Sequence, residues 1–403
     1  MQCEFILAIT MSLYRLLIFL FSAILCFNQL SGCSFKDTIA LSKDTITLSK
    51  GFNAITKIPQ IISGRYEIVE DYISFSGSGV SLTFEAPKSV FSIWIEDMAT
   101  TETKSNWFNL LVDGKYHSRI QLKPGKKLYV IDVQSNKNKL ITFIKATEAG
   151  IGEVRIYGIE LSGSLKVKSS IDLGYTMNIQ FIGNSITCGY GNMVTFPENP
   201  PGNPLNFFHS KNENAYEAYA MKTARNLDAS SMLVCFSGRG VYRNVDGDTN
   251  ETLPKIYDRI HIQNETSNHW DHTKQVPDVI VINLGTNDYF LESKNKPLND
   301  SLFVQTYIQF VEKLLVYYPD AKIICANGSM LNDNWPEGKC WSRIQKNIAK
   351  VCEYFHAKGH EEIYSFFFTP QQPPYGEDCH PTLTTHTRMA EELTLFIKKT
   401  ILK

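Results

Sequence analysis

The chain has 403 residues, 43% of them hydrophobic and 20% charged, with 40 basic against 41 acidic side chains and a formal net charge of −1. That length exceeds one ordinary core, so two domains are expected. The composition excludes a disordered chain. The balanced charge excludes nucleic acid, or an anionic membrane surface, as a partner held by bulk electrostatics.

The first 33 residues read as a targeting segment and stand outside the fold. Arg15 precedes an apolar run over 16–27. The run is too short to span a bilayer as a stable helix and suits the apolar region of a signal peptide. Leu30-Ser31-Gly32-Cys33 follows, similar to the bacterial lipobox, in which the cysteine is lipidated and becomes the mature N-terminus. Residues 1–33 are thus expected to be a lipoprotein-type signal with Cys33 as the lipidation site. A plain secretory signal is the alternative. Ser34 stands where an inner-membrane retention signal would carry aspartate. The expected location is the outer membrane of a Gram-negative cell, with the membrane a partner through the lipid anchor only. Six cysteines remain beyond this leader, at 188, 235, 325, 340, 352 and 379. None forms a Cys-x-x-Cys pair or a zinc-type His/Cys cluster, so neither metal nor cofactor is expected.

Residues 40–165 read as strands. Short runs recur at 74–75, 81–84, 91–95, 108–112, 128–133, 140–144 and 154–161, separated by turn signals such as Asp113-Gly114 and Pro124-Gly125. Asp-Gly between apolar runs marks a hairpin. Many short strands with regular turns predict a β-sandwich of jelly-roll type. Residues 172–403 alternate instead. Strand-like runs fall at 179–182, 232–236, 279–284, 322–326 and 363–368, with helical stretches at 216–227, 302–318, 341–355 and 384–398. Such alternation predicts a parallel sheet covered by helices on both faces.

Four short stretches each follow one of these strands: Gly183-Asn184-Ser185, Phe236-Ser237-Gly238-Arg239-Gly240, Asn283-Leu284-Gly285-Thr286-Asn287-Asp288 and Glu377-Asp378-Cys379-His380-Pro381. The carboxyl ends of parallel strands share one edge, so the four can converge. Their chemistry is complementary. A serine hydroxyl needs a base to become a nucleophile, and His380 can take its proton and later return it to a leaving alcohol. A nearby carboxylate can hold the imidazole tautomer. The backbone N–H of Ser185 and of Gly238 and the Asn287 side-chain amide can stabilise an oxyanion. Trp335, in the loop after the fourth strand, offers either an aromatic face for a sugar ring or a packed loop side chain.

In this order the blocks resemble those of the SGNH, or GDSL-like, hydrolases. Gly183-Asn184-Ser185-Ile186-Thr187-Cys188-Gly189-Tyr190-Gly191, Ser237-Gly238-Arg239-Gly240-Val241-Tyr242-Arg243-Asn244 and His380-Pro381 with Thr385-His386 and Met389-Ala390 are similar to carbohydrate esterase family two. Leu111-Val112-Asp113-Gly114 and Lys145-Ala146-Thr147-Glu148-Ala149 resemble that family's jelly-roll domain. The resemblance implies an α/β fold with an N-terminal β-sandwich and an SGNH-type α/β/α domain. It implies an acetylxylan esterase-like serine esterase, with Ser185, His380 and Asp378 catalytic and Gly238 and Asn287 in the oxyanion hole. The implied substrate is acetylated plant polysaccharide or its oligosaccharides. The general pattern places a carboxylate three residues before the histidine, where this chain has Glu377, with Asp378 two before. The group orienting His380 is therefore Asp378, Glu377 or a backbone carbonyl, and alternation in an extended segment favours Asp378. Two other functions fit the same residues: a lipase or lysophospholipase-like esterase, and a noncatalytic glycan-binding lipoprotein.

Overall fold

A computed structural model describes residues 45–87, 90–135, 137–196 and 207–402. The proposed signal segment and Cys33 lie outside the described residues. From Thr45 onward the chain forms one compact unit.

The first part is antiparallel. Its strands are β1 (Thr45–Leu48), β2 (Gly51–Ala54), β3 (Gln60–Ser63), β4 (Glu67–Val69), β5 (Tyr72–Phe75), β6 (Ser81–Ala86), β7 (Val90–Asp97), β8 (Trp107–Val112), β9 (Lys115–Gln121), β10 (Gly125–Asp132), β11 (Lys139–Lys145), β12 (Val154–Leu161) and β13 (Leu165–Lys168). One sheet runs β10-β7-β12-β5-β4, with β2 also paired to β12, and a second runs β3-β6-β11-β8-β9. β1 pairs with β13. Inward side chains of the two sheets meet in a core built on Phe75, Phe84, Phe91, Phe108 and Phe143. In β7 buried residues alternate with partly exposed ones, the pattern of a strand with one face on a core. Asp113-Gly114 closes the β8–β9 hairpin.

The second part carries a five-stranded parallel sheet of β14 (Asn178–Gly183), β15 (Ser230–Cys235), β16 (Val279–Asn283), β17 (Lys322–Asn327) and β18 (Ile363–Phe367). The strand order is β15-β14-β16-β17-β18. Every residue of β16 is buried, as expected of a strand covered on both faces. Helices α1 (Ser185–Cys188), α2 (Tyr219–Asn226), α3 (Leu253–Ile256), α4 (Thr286–Phe290), α5 (Asp300–Tyr317), α6 (Cys340–His356) and α7 (Leu383–Thr400) complete the layers. Asn299 caps α5 by accepting the Leu302 N–H at 3.1 Å. The expected fold, a β-sandwich followed by an α/β/α hydrolase domain, is the one observed.

With strands numbered from β14, the order is 2-1-3-4-5, and the connections reverse direction between β14 and β16. Open α/β sheets bind ligands at such a switch point, outside the carboxyl ends of the strands. Ser185 follows β14 and Asn287 follows β16, one on each side of it. The two parts also share packing: Leu111 and Ile144 of the sandwich join a core with Phe181, Tyr216 and Met221.

Candidate active site

Ser185 opens α1 immediately beyond the buried strand β14. Asn184 caps that helix, its Oδ1 accepting the Ile186 N–H at 3.1 Å. The turn is crowded, and Ser185 keeps only 7% of its surface exposed. Its Oγ lies 2.7 Å from Nε2 of His380.

The other ring nitrogen fixes the direction of that bond. Nδ1 of His380 is 2.9 Å from the carbonyl oxygen of Glu377. A carbonyl only accepts, so Nδ1 carries the proton and Nε2 presents its lone pair to the Ser185 hydroxyl. The Tyr190 ring stacks on the imidazole at 4.2 Å. Burial pushes the His380 pKa down to about 4, with the Glu377 backbone hydrogen bond and the Asp378 charge opposing the shift. The neutral ring, the form that can act as a base, therefore prevails above that value.

This geometry corrects the expectation for Asp378. Residues 377–379 do not form an extended segment; they make a tight turn in which Asp378 and Cys379 both take positive φ, 47° and 62°. The turn removes the alternation that aimed the Asp378 side chain at the ring. The Asp378 carboxylate is exposed and accepts the Tyr190 hydroxyl at 2.6 Å. The Glu377 side chain is also directed away from the ring. It is fully buried and accepts the His209 N–H at 3.0 Å, Nδ1 of His209 at 2.9 Å and the Asn212 amide at 2.6 Å. Of the three candidates, the partner of Nδ1 is the backbone carbonyl. Gly191 makes this turn possible. Its carbonyl accepts the Glu377 N–H at 3.2 Å, and a Cβ at 191 would lie 2.4 Å from that of Glu377.

Asn287 sits at the start of α4, its side-chain amide donating to the Arg239 carbonyl at 2.8 Å. That bond uses one amide hydrogen and leaves the second for another acceptor. Gly238 occupies the left-handed region at φ 76°, open to glycine without strain. Its carbonyl accepts the Val245 N–H at 2.9 Å. Asp288 is the brace between these loops. Its buried carboxylate accepts the N–H groups of Val241, Tyr242 and Arg243 at 2.9, 2.7 and 3.0 Å. Desolvation raises its pKa to about 6 in spite of those three donors. Trp335 is 43% exposed, and its ring meets Phe290, the last residue of α4, edge-on at 6.0 Å.

The sequence reading did not single out Tyr190, His209 or Asn212. Tyr190 lies five residues after Ser185, and that nearness is the signal the sequence offers for it. Nothing in the sequence separated His209 and Asn212 from other loop residues. Among the described residues, Glu148, Cys188 and Glu213 bring ligand-type atoms within 4.8 Å of one another, a grouping their sequence spacing did not show.

Residues 181–388 match the GDSL-like lipase/acylhydrolase family. Residues 62–169 match the carbohydrate esterase 2 N-terminal family. A family two carbohydrate esterase from Clostridium thermocellum, solved in complex with cellohexaose, superposes with a TM-score of 0.74. It is 30% identical, and the match covers 85% of this chain and 99% of that one. The chain belongs to family two of the carbohydrate esterases. It is also 34% identical, over 81% of its length, to the cellulase/esterase CelE of Acetivibrio thermocellus, of which it spans 37%. An acetylxylan esterase / glucomannan deacetylase of Cellvibrio japonicus is 27% identical, with 91% of this chain and 93% of that protein aligned.

Proposed function

We propose that the chain removes O-acetyl groups from hemicellulose, xylan or glucomannan, or from derived oligosaccharides, through an acetyl-Ser185 intermediate. The observation that carries this reading is the Ser185–His380 pair, with its tautomer set by the Glu377 carbonyl and its site at the sheet's switch point. Ser185 Oγ attacks the acetyl carbon while Nε2 takes its proton. The carbonyl oxygen becomes an oxyanion facing the Ser185 and Gly238 N–H groups and the Asn287 amide. Collapse breaks the bond to the sugar oxygen, which leaves as an alcohol with the proton held on Nε2. Water, deprotonated by the same nitrogen, then attacks the acetyl-enzyme and releases acetate and free Ser185.

Trp335, against Phe290 at the end of α4, and Phe207, stacked on His209, are 43% and 53% exposed and can each cover the apolar face of a sugar ring. The test is acetate release from acetylated xylan and glucomannan by the wild type and by Ser185→Ala. Activity in the wild type that vanishes in a variant of unchanged melting temperature is expected. Full activity in the variant refutes the serine mechanism.

The lipid anchor at Cys33 and an outer-membrane location belong to the same proposal and rest on the lipobox-like residues. No helix among the described residues is long and apolar enough to cross a membrane. Cys33→Ser should move the protein from the membrane fraction to the soluble fraction. Retention of the variant on the membrane refutes the anchor.

A further inference from the structure

The end of β11 and the turn after it carry two ionisable side chains, Lys145 and Glu148, into the interior. Lys145 is fully buried and donates from Nζ to the carbonyls of Thr147 at 2.8 Å and Glu148 at 3.0 Å. Glu148 is 6% exposed. Its carboxylate leaves the sandwich altogether: Oε2 accepts the N–H of Ser237 at 2.9 Å. Glu148 N–H in turn donates to the carboxylate of Glu213, which is fully buried in the hydrolase part.

Ser237 immediately precedes Gly238. The Gly238 peptide is thus pinned on both sides, by Glu148 through Ser237 and by the Val245 N–H on the Gly238 carbonyl. A glycine with φ at 76° does not hold a peptide plane by itself, because its backbone is the least restricted of any residue. An oxyanion donor must be aimed before the charge develops. The hydrolase part supplies the donor, and the sandwich supplies an acceptor that aims the adjoining peptide.

We propose that Glu148 is a positioning residue for the oxyanion site: by holding the Ser237 N–H it fixes the direction of the Gly238 N–H. The inference rests on the proposed esterase mechanism. It makes the sandwich part of the catalytic apparatus, beyond any part in substrate binding. The groups facing Glu148 are Lys145 from its own turn, Glu213 from the 210–214 loop, Cys188 from α1 and Ser237 after β15. Burial raises the pKa of both carboxyls, Glu213 the further, and the Lys145 ammonium favours ionised Glu148. Burial acts against the charge on Lys145 as well, lowering its pKa to about 8. Glu148, Cys188 and Glu213 are the trio whose ligand-type atoms lie within 4.8 Å of one another.

The experiment measures kcat and KM of the full chain on p-nitrophenyl acetate, with active sites counted by the burst of p-nitrophenol from diethyl p-nitrophenyl phosphate. Glu148→Ala should lower kcat per titrated site by about 10- to 100-fold with KM within about twofold, a part of what a lost oxyanion donor costs. Glu148→Gln keeps an acceptor of the same reach and should recover most of that loss. Wild-type kcat per site in Glu148→Ala overturns the proposal, as does a loss that disappears once sites are counted. A Glu148→Gln variant as slow as Glu148→Ala overturns it too, because charge rather than the Ser237 hydrogen bond would then matter. Activity lost to EDTA and restored by zinc would assign the trio to a metal instead. Ser185→Ala is the control that separates the two levels. An active Ser185→Ala refutes the mechanism itself, whereas an inactive Ser185→Ala beside a fully active Glu148→Ala refutes only the positioning role.

Discussion

Replacing Asp378 by Asn tests what orients the imidazole of His380. Where a buried carboxylate holds the imidazole, the same change costs about 10,000-fold in kcat, roughly 5.4 kcal/mol at 1.36 kcal/mol per decade. In this chain Nδ1 donates to the Glu377 carbonyl at 2.9 Å. That bond is unchanged by the substitution, and the ring keeps its tautomer. What the variant alters is the acceptor of the Tyr190 hydroxyl. Asparagine still offers an Oδ1 there, so the bond passes from charge-assisted to neutral. Charge-assisted bonds are worth about 1.5–3 kcal/mol and neutral ones about 0.5–1.5. The difference bears on a group stacked against His380, and the exposed carboxylate is screened by solvent. The expected loss is therefore no more than about 10-fold in kcat, near 1.4 kcal/mol. Acetate release from acetylated xylo-oligosaccharide at pH 7 gives kcat directly. A loss approaching 10,000-fold would refute the carbonyl as orienter and restore Asp378 to that role.

Two more outcomes follow from the geometry. His380 must be neutral to act, and burial moves its pKa from 6.5 down to about 4. His380 keeps part of its surface exposed, so kcat/KM should hold level from pH 7 to about 5.5 and fall on an acid limb at or somewhat above 4. A limb centred at 6.5 or higher refutes the desolvation argument. The unfolded chain binds this proton between roughly pH 6.5 and 4 while the native state does not, so stability should decline as pH drops through that window, read by chemical denaturation. Asn287→Ala should cut kcat by about 100- to 1,000-fold and leave KM nearly unchanged, because the oxyanion exists only beyond the ground state. A raised KM at constant kcat would make Asn287 a substrate contact.

The parallel sheet was legible because burial on both faces leaves no polar alternation to blur it. Val279–Asn283 is apolar up to its last residue and every position is buried. The sandwich was read less completely. Lys115–Gln121 is a full strand, yet it lies at a sheet edge with mostly exposed polar side chains, so no apolar run announces it. In the site, the serine, asparagine and histidine were visible because each follows a readable strand. The orienting group was not, since a backbone carbonyl has no side-chain signature. The turn that aims it depends on positive φ at Asp378 and Cys379, residues that carry no such mark in sequence. Glu377 illustrates the same limit. Its spacing from His380 suggested an orienter, but tertiary packing buries its carboxylate against His209 and Asn212, and only its main chain faces the ring.

A neutral orienter has a consequence for the ester itself. With no carboxylate on Nδ1, the imidazolium formed in each step is less stabilised, and His380 is a weaker base and a stronger acid than in a full triad. Expelling a sugar alcohol from an ester asks chiefly for a proton on the departing oxygen, which a stronger acid delivers readily. Expelling an amine from an amide asks for more: the carbonyl is less electrophilic, so a weak base must activate the serine for a harder attack. The dyad should therefore discriminate between acetyl groups on oxygen and on nitrogen. Acetate release from O-acetylated xylo-oligosaccharide and from N-acetylated chito-oligosaccharide, compared at equal acetyl concentration, reads this directly. The first should be deacetylated and the second left intact. Comparable rates on both would mean that Ser185 is activated more strongly than a carbonyl-held His380 can manage.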